Sequence, residues 1–291
     1  LWTHLMNNVD YAGGAAIQIV CGTVNMYGGV IENNIAVHEI TTVTNPDGTT
    51  TKVGKSAYGG AIQNCGNFYM YGGTIRGNEA NRGGGIYNWS HAKIYAGTFD
   101  GNKATAGAAI TSSAHIYIGS ESDSYQNMGS NVVVFSNNVA SSNGGAIYAS
   151  GGTFQADQIT LSGNNAALNG VLYLTSKEAT LTNITATGNN AVYGGVLYAN
   201  SNAMVTVKNV QLTGNSANSG GAVYVAGNAT VNISDSKLNS NQAVKGYGGA
   251  IYVGSRDGVT GVFSAFGGEV TAGSAGKKAN CVYVMEGGAV E

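Results

Sequence analysis

Along much of this chain, apolar and polar residues alternate over short stretches: Val223 and Val225, Val231 and Ile233, Ile251 and Val253. A period of two marks a β-strand with one buried face. The apolar residues are largely β-branched or aromatic, which suits strands. Gly and Asn stand at the breaks, where the backbone needs positive φ.

The stretches are copies of one unit. A phrase of the form Gly-Gly-Ala-Ile, often followed by Tyr, puts its aliphatic residue at Ile17, Ile62, Ile86, Ile110, Ile147, Leu172, Leu197, Val223, Ile251 and Val282. Successive gaps are 45, 24, 24, 37, 25, 25, 26, 28 and 31 residues, so the base unit is 24–26 residues and the two longest gaps hold insertions. A second phrase, an apolar residue three positions before an Asn, runs in phase with the first. Its Asn falls at Asn34, Asn78, Asn102, Asn138, Asn164, Asn189, Asn215 and Asn241. From Asn78 on, the next aliphatic follows after 8, 8, 9, 8, 8, 8 and 10 residues. Three short strands and three turns fill such a unit, each strand pairing in parallel with its counterpart one coil away. The sequence therefore predicts an all-β fold: a right-handed parallel β-helix of about ten coils, in one domain over 1–291. At the usual strand spacing the rod is about 45–50 Å long.

Phase assigns most polar residues to structure. The repeating Asn residues stack at one turn, where an amide supplies both donor and acceptor to backbone groups that a turn leaves unpaired. Glu32, Arg76 and Asp100 share one register on three coils, and Glu79 and Lys103 share another, so opposite charges face each other across strands. Cys21 and Cys65 both lie six residues before a Tyr-Gly-Gly turn, which brings them into register and makes them a candidate disulfide. Cys281 has no counterpart in register.

Tyr148, Tyr173, Tyr198, Tyr224, Tyr252 and Tyr283 each follow the inward aliphatic, so alternation turns them outward as a file along one face. The file reads either as strand-stabilising stacking or as a contact surface for a partner. Residues 38–56 are an insertion whose Thr-rich flanks surround Asn45-Pro46-Asp47-Gly48, the signal of a projecting hairpin. Asn45 and Asp47 at its tip are further candidate binding residues, and a second insertion at about 119–131 carries Glu121, Asp123 and Tyr125.

Composition narrows the function. The net charge is −2 and the 13 Lys and Arg are scattered, so no nucleic-acid partner is expected. No apolar run reaches the roughly 18–20 residues of a membrane-spanning helix. The acidic residues Glu39, Asp47, Asp157, Glu178, Asp235, Asp257, Glu269 and Glu286 fall at unrelated registers, and His4, His38, His91 and His115 are dispersed. No Gly-x-Ser-x-Gly, His-Glu-x-x-His, phosphate-loop or Cys-x-x-Cys pattern occurs. No catalytic residue, metal or cofactor is expected. The chain opens on Leu1 and is expected to be a segment of a longer protein.

Gly-Gly-Ala-Ile with Phe-x-x-Asn resembles the signature pair of the chlamydial polymorphic outer-membrane proteins. Here it stands as Gly59-Gly60-Ala61-Ile62, Gly144-Gly145-Ala146-Ile147, Gly248-Gly249-Ala250-Ile251, Phe99-Asp100-Gly101-Asn102 and Phe135-Ser136-Asn137-Asn138. Met70-Tyr71-Gly72-Gly73-Thr74-Ile75-Arg76-Gly77-Asn78 is similar also to β-helix repeats of large surface proteins from gut anaerobes. The resemblance covers nearly the whole chain and implies a β-helix displayed on the bacterial cell surface, often as an adhesin. The leading expectation is a non-catalytic extracellular segment that binds a host surface protein or glycan. A structural stalk and a carbohydrate-active β-helix enzyme, a polysaccharide lyase or glycoside hydrolase, are the alternatives.

Overall fold

A computed structural model describes residues 4–6, 9–11, 14–37, 39–119, 132–256, 259–271, 273–278, 281–285 and 289–290. The chain winds as a right-handed parallel β-helix. Three sheets have ten strands each, all parallel, and every strand pairs with its counterpart in the coils before and after. The coil that begins at Ile86 shows the order. Ile86–Asn88 belongs to the tyrosine sheet, His91–Ile94 to a broad sheet, and Gly97–Asp100 to the sheet that leads into the asparagine turn.

A fourth strand follows, so the expected three strands per coil become four. In this coil it is Lys103–Ala106, and its counterparts form a six-stranded sheet and then a three-stranded one. The side chains it buries are small. In every coil they include the Ala two residues after the ladder Asn: Ala36, Ala80, Ala104, Ala140, Ala166, Ala191, Ala217 and Ala243 are all buried, and Ala106 is buried beside Ala104. Alanines give a weak apolar signal, so the strand is faint in the sequence.

The interior is one continuous apolar cluster. Its largest members are Phe68, Phe99, Phe135 and Phe154, all fully buried, with Phe99 and Phe135 stacked at 5.0 Å. Beside it runs the asparagine ladder. The Asn138 amide nitrogen donates to the Phe99 carbonyl one coil back (3.0 Å) and to Asn164 Oδ1 one coil on (2.9 Å). Its Oδ1 accepts from both the backbone N–H and the amide nitrogen of Asn102, each at 3.0 Å. The same scheme runs from Asn34 to Asn241. The residue just before each ladder Asn is left-handed, with φ of 53–64°, as at Asn137 (53°) and Gly214 (64°), which is why only Gly, Asn or Ser stand there.

The glycine pair has two separate reasons. Gly194 sits at φ 65°, whereas a Cβ on Gly195 would lie 2.2 Å from the Gly221 carbonyl oxygen of the next coil. The first glycine turns the corner and the second lets adjacent coils touch.

Departures from the repeat project outward. Glu39–Thr44 and Thr50–Lys55 pair as an antiparallel hairpin. A smaller hairpin, Ser255–Arg256 against Val259–Thr260, opens and closes at Gly254 and Gly261 and accounts for the 31-residue gap. The insertion near 119–131, with Glu121, Asp123 and Tyr125, lies outside the described residues beyond Gly119.

Candidate functional site

The tyrosine sheet presents its file on the outer face. Tyr148, Tyr173, Tyr198, Tyr224, Tyr252 and Tyr283 occupy one register column, each between two inward-facing residues. The column continues back through Thr111, Tyr87 and Gln63 to Gln18. Parallel pairing holds neighbouring rings about one strand spacing apart. Ring centroids accordingly lie 5.0, 5.3, 5.0, 4.5 and 5.4 Å apart along the file, and all pairs but the first are stacked within about 25° of parallel.

That stacking decides what the file can offer. The ring faces cover each other, so a partner meets ring edges and hydroxyls. Five of the six residues are half-buried and Tyr252 is buried. Burial, the largest cause, pushes the phenols of Tyr148, Tyr224 and Tyr252 above their ordinary value, with neighbouring tyrosines adding to the shift. Two tyrosines missed in the sequence widen the surface. Tyr193 packs edge-on against Tyr224 at 5.3 Å, and Tyr247 stacks on Tyr283 at 4.5 Å with Lys277 Nζ 5.4 Å above its ring. Both precede a glycine pair, as does Tyr58, which packs on Tyr87 at 4.5 Å. The recurrence of Tyr before Gly-Gly was the signal that could have found them. A separate stack, Tyr27, Tyr71 and Tyr95, runs along the end of the broad sheet with centroids 4.9 and 5.0 Å apart.

The hairpin tip lies apart from this file in the structure's connectivity, on the coil that begins at Ile17. Its candidate side chains are engaged in their own turn. Asp47 Oδ1 accepts from the Thr49 backbone N–H (2.9 Å) and hydroxyl (2.6 Å), while the Asn45 amide donates to the Thr49 hydroxyl (2.9 Å). The hydroxyl and N–H of Thr49 hold the fully exposed Asp47 carboxyl below its ordinary value.

The expected Cys21–Cys65 bridge is not formed: both thiols are free and exposed, and Cys281 is free as well. Ile19 pairs with Asn64 while Thr23 pairs with Asn67, so the turn carrying Cys21 holds one extra residue. The Cys65 N–H therefore bonds the Ile19 carbonyl, in the place that matches Val20. Of the register-matched charges, Arg76 pairs with the buried Glu32. Asp100 turns instead to the next coil and accepts from Ser136 (2.6 Å) and Asn137 (2.9 Å). Among the described residues, no three His, Cys, Asp or Glu side chains converge as a metal site.

The model of the Chlamydia polymorphic membrane protein (Chlamydia_PMP) repeat matches residues 132–150, which hold both Phe135-Ser136-Asn137-Asn138 and Gly144-Gly145-Ala146-Ile147. The chain carries a polymorphic membrane protein repeat. Comparison with curated proteins and with solved structures gives no match. The repeat is one of a non-enzymatic family of surface and outer-membrane proteins, which supports a cell-surface location in general. No helix among the described residues is long and apolar enough to cross a membrane, which leaves strand-built spans open.

Proposed function

We propose that this chain is a non-catalytic, extracellular segment of a bacterial surface protein that binds a host surface protein or glycan along one face of a rigid rod, in the manner of an adhesin. The observation that carries the reading is the tyrosine file with its flanking Tyr193 and Tyr247. Tyrosine is a rigid, amphipathic contact residue that loses little entropy on binding. Here the stack has already ordered the side chains, so a partner meets a pre-organised surface. With ring faces closed and edges and hydroxyls presented, a protein surface fits the file better than a sugar ring seeking an aromatic face.

The test is a screen of this chain against host surface proteins and glycans, repeated with Tyr198→Ala plus Tyr224→Ala. Binding by the wild type that is lost in the double variant, with the variant's fold intact by circular dichroism, supports the file. Unchanged binding in that variant, with loss on deleting residues 40–54, moves the contact to the hairpin. A chain that binds nothing is a spacer. Turnover of a polysaccharide by the chain would overturn the non-catalytic reading.

A further inference from the structure

We propose that the projecting hairpin is a self-association surface: the outer edge of Glu39–Thr44 pairs with the same edge of a second copy of this chain, antiparallel about Thr42, to make a four-stranded sheet. The hairpin is a two-stranded sheet of its own, and among the described residues neither strand lies along a strand of the rod. A two-stranded hairpin alone is marginal in water, and three or more strands are needed for independent stability. The surface shares no residue with the tyrosine file and does not depend on the file's function.

The turn fixes which backbone groups face outward. The Asn45 N–H bonds the Thr49 carbonyl (2.7 Å), and the Gly48 N–H bonds the Asn45 carbonyl (3.0 Å), with Gly48 at φ 79°. Asn45 and Thr49 are therefore a hydrogen-bonded pair, and the register alternates from there. Val43 with Thr51, Thr41 with Val53 and Glu39 with Lys55 exchange bonds inside the hairpin. The Thr44–Thr50, Thr42–Lys52 and Ile40–Gly54 pairs turn their N–H and C=O groups away from each other. Each edge thus carries a row of unpaired backbone groups, a template for another strand. Thr42 and Thr44 are exposed, and among the described residues no hydrogen bond reaches the N–H of Ile40, Thr42 or Thr44.

The residues at the two edges differ. Pairing Glu39–Thr44 with itself about Thr42 sets Thr42 opposite Thr42, Ile40 opposite Thr44 and Thr41 opposite Val43 of the other copy. No like charges meet, and every residue from Ile40 to Thr44 is β-branched, which suits a strand paired on both sides. The same operation on Thr50–Lys55 sets Lys52 opposite Lys52, where like charges repel. Lysine on an edge is a common guard against strand addition. With the lysine-bearing strands outermost, the sheet closes at two copies, as a two-fold interface does. Antiparallel pairing also puts the base of each hairpin beside the tip of the other. The rods then stand at opposite ends of the shared sheet, about 20 Å apart along the strands, and do not collide. A peptide strand from another protein offers the same backbone groups, but the self-complementary register and the guarded far edge favour a second copy.

The experiment follows the whole 291-residue chain by sedimentation velocity over a wide range of concentration. Two proline variants separate the edges. Thr42→Pro and Lys52→Pro each remove one outward N–H and none that the hairpin uses, so each leaves the internal bonds in place. The expected result is a monomer–dimer equilibrium in which Thr42→Pro weakens the dimer tenfold or more and Lys52→Pro leaves it intact. Thr42→Cys is expected to cross-link to its own copy on mild oxidation, since a hydrogen-bonded pair holds its Cα atoms about 5.5 Å apart. The parent chain, with its own free thiols, sets the background for that cross-link. The proposal is overturned if the wild type stays monomeric throughout, if Thr42→Pro dimerises as the wild type does, or if Lys52→Pro abolishes the dimer while Thr42→Pro does not. Assemblies dominated by more than two copies, or cross-linking of Thr42→Cys no stronger than the parent's, overturn it as well. A monomeric chain that loses a protein partner in Thr42→Pro would give the edge to a peptide strand instead.

Discussion

Replacing Asn138 with alanine removes four hydrogen bonds at a site with no access to water. The lost bonds are the two its amide donates, to the Phe99 carbonyl and Asn164 Oδ1, and the two its Oδ1 accepts from Asn102. Not all of the partners suffer equally. Asn164 Oδ1 keeps the Asn138 backbone N–H, and the Asn102 amide keeps the Ile75 carbonyl, but the Asn102 backbone N–H loses its acceptor. At about 0.5–1.5 kcal/mol net per bond, with about 1–3 kcal/mol for an orphaned buried donor, the expected loss is about 3–5 kcal/mol. Asn138→Asp is the sharper probe because it keeps the shape. One carboxylate oxygen still accepts from Asn102, but the other replaces a donor and faces two acceptors. Burial and those lone pairs raise the aspartyl pKa in the folded state above its unfolded value near ~3.9. A raised folded pKa makes the variant more stable, relative to wild type, as pH falls, because the protonated acid regains a donor; that gain is lost as pH rises through the folded pKa. Urea unfolding followed by circular dichroism, at neutral pH and near pH ~4, measures both effects. Loss of under about 1 kcal/mol in the alanine variant, or an aspartate variant that weakens relative to wild type on acidification, would refute the ladder's role.

Three further outcomes follow from the same geometry. Gly195→Ala drives its Cβ to 2.2 Å from the Gly221 carbonyl oxygen and is expected to cost at least about 2–3 kcal/mol; Gly188→Asn, at φ 62° in open space and in the column that Asn137 occupies, is expected to stay within about 1 kcal/mol, and thermal melts compare the two. Phe135→Ala opens a cavity against the stacked Phe99 and is expected to cost about 3–5 kcal/mol, with hydrogen exchange rising first in the adjoining coils. Because burial raises the phenols of Tyr148, Tyr224 and Tyr252, their share of stability is intact below the unfolded tyrosine pKa of about 10 and is lost as pH rises through the folded values. In an alkaline titration, the tyrosinate absorbance that Tyr148→Phe, Tyr224→Phe and Tyr252→Phe remove should therefore develop together with loss of the far-ultraviolet strand signal, and ionisation of these three phenols at about pH 10 with the fold intact would contradict the packing.

Two phased phrases made the coil legible because each answers a physical need that recurs at every turn. Asn138 must be an amide since it both donates and accepts inside the turn, and Gly195 must lack a Cβ since a carbonyl lies against it. What stayed hidden was whatever a single coil does not state. The fourth strand buries only alanines, so its apolar signal is weak. The Cys21 turn is one residue longer than the Cys65 turn, an offset that vanishes when both are counted back from the following tyrosine. The side chains of Asn45 and Asp47 close on Thr49, and composition shows a turn there without showing that its polar groups are already engaged.

The aromatic surfaces show most plainly why register alone does not define a site. Sequence places Tyr198 and Tyr224 outward on adjacent coils, and both are outward, yet adjacency is what closes their ring faces, with centroids 5.0 Å apart. In a solenoid a repeated residue satisfies its neighbours above and below, so repetition favours stability. A ligand has to be met by side chains whose neighbours differ from them. What the file keeps for a partner is therefore its row of ring edges and hydroxyls, widened where Tyr193 and Tyr247 break the uniform stack.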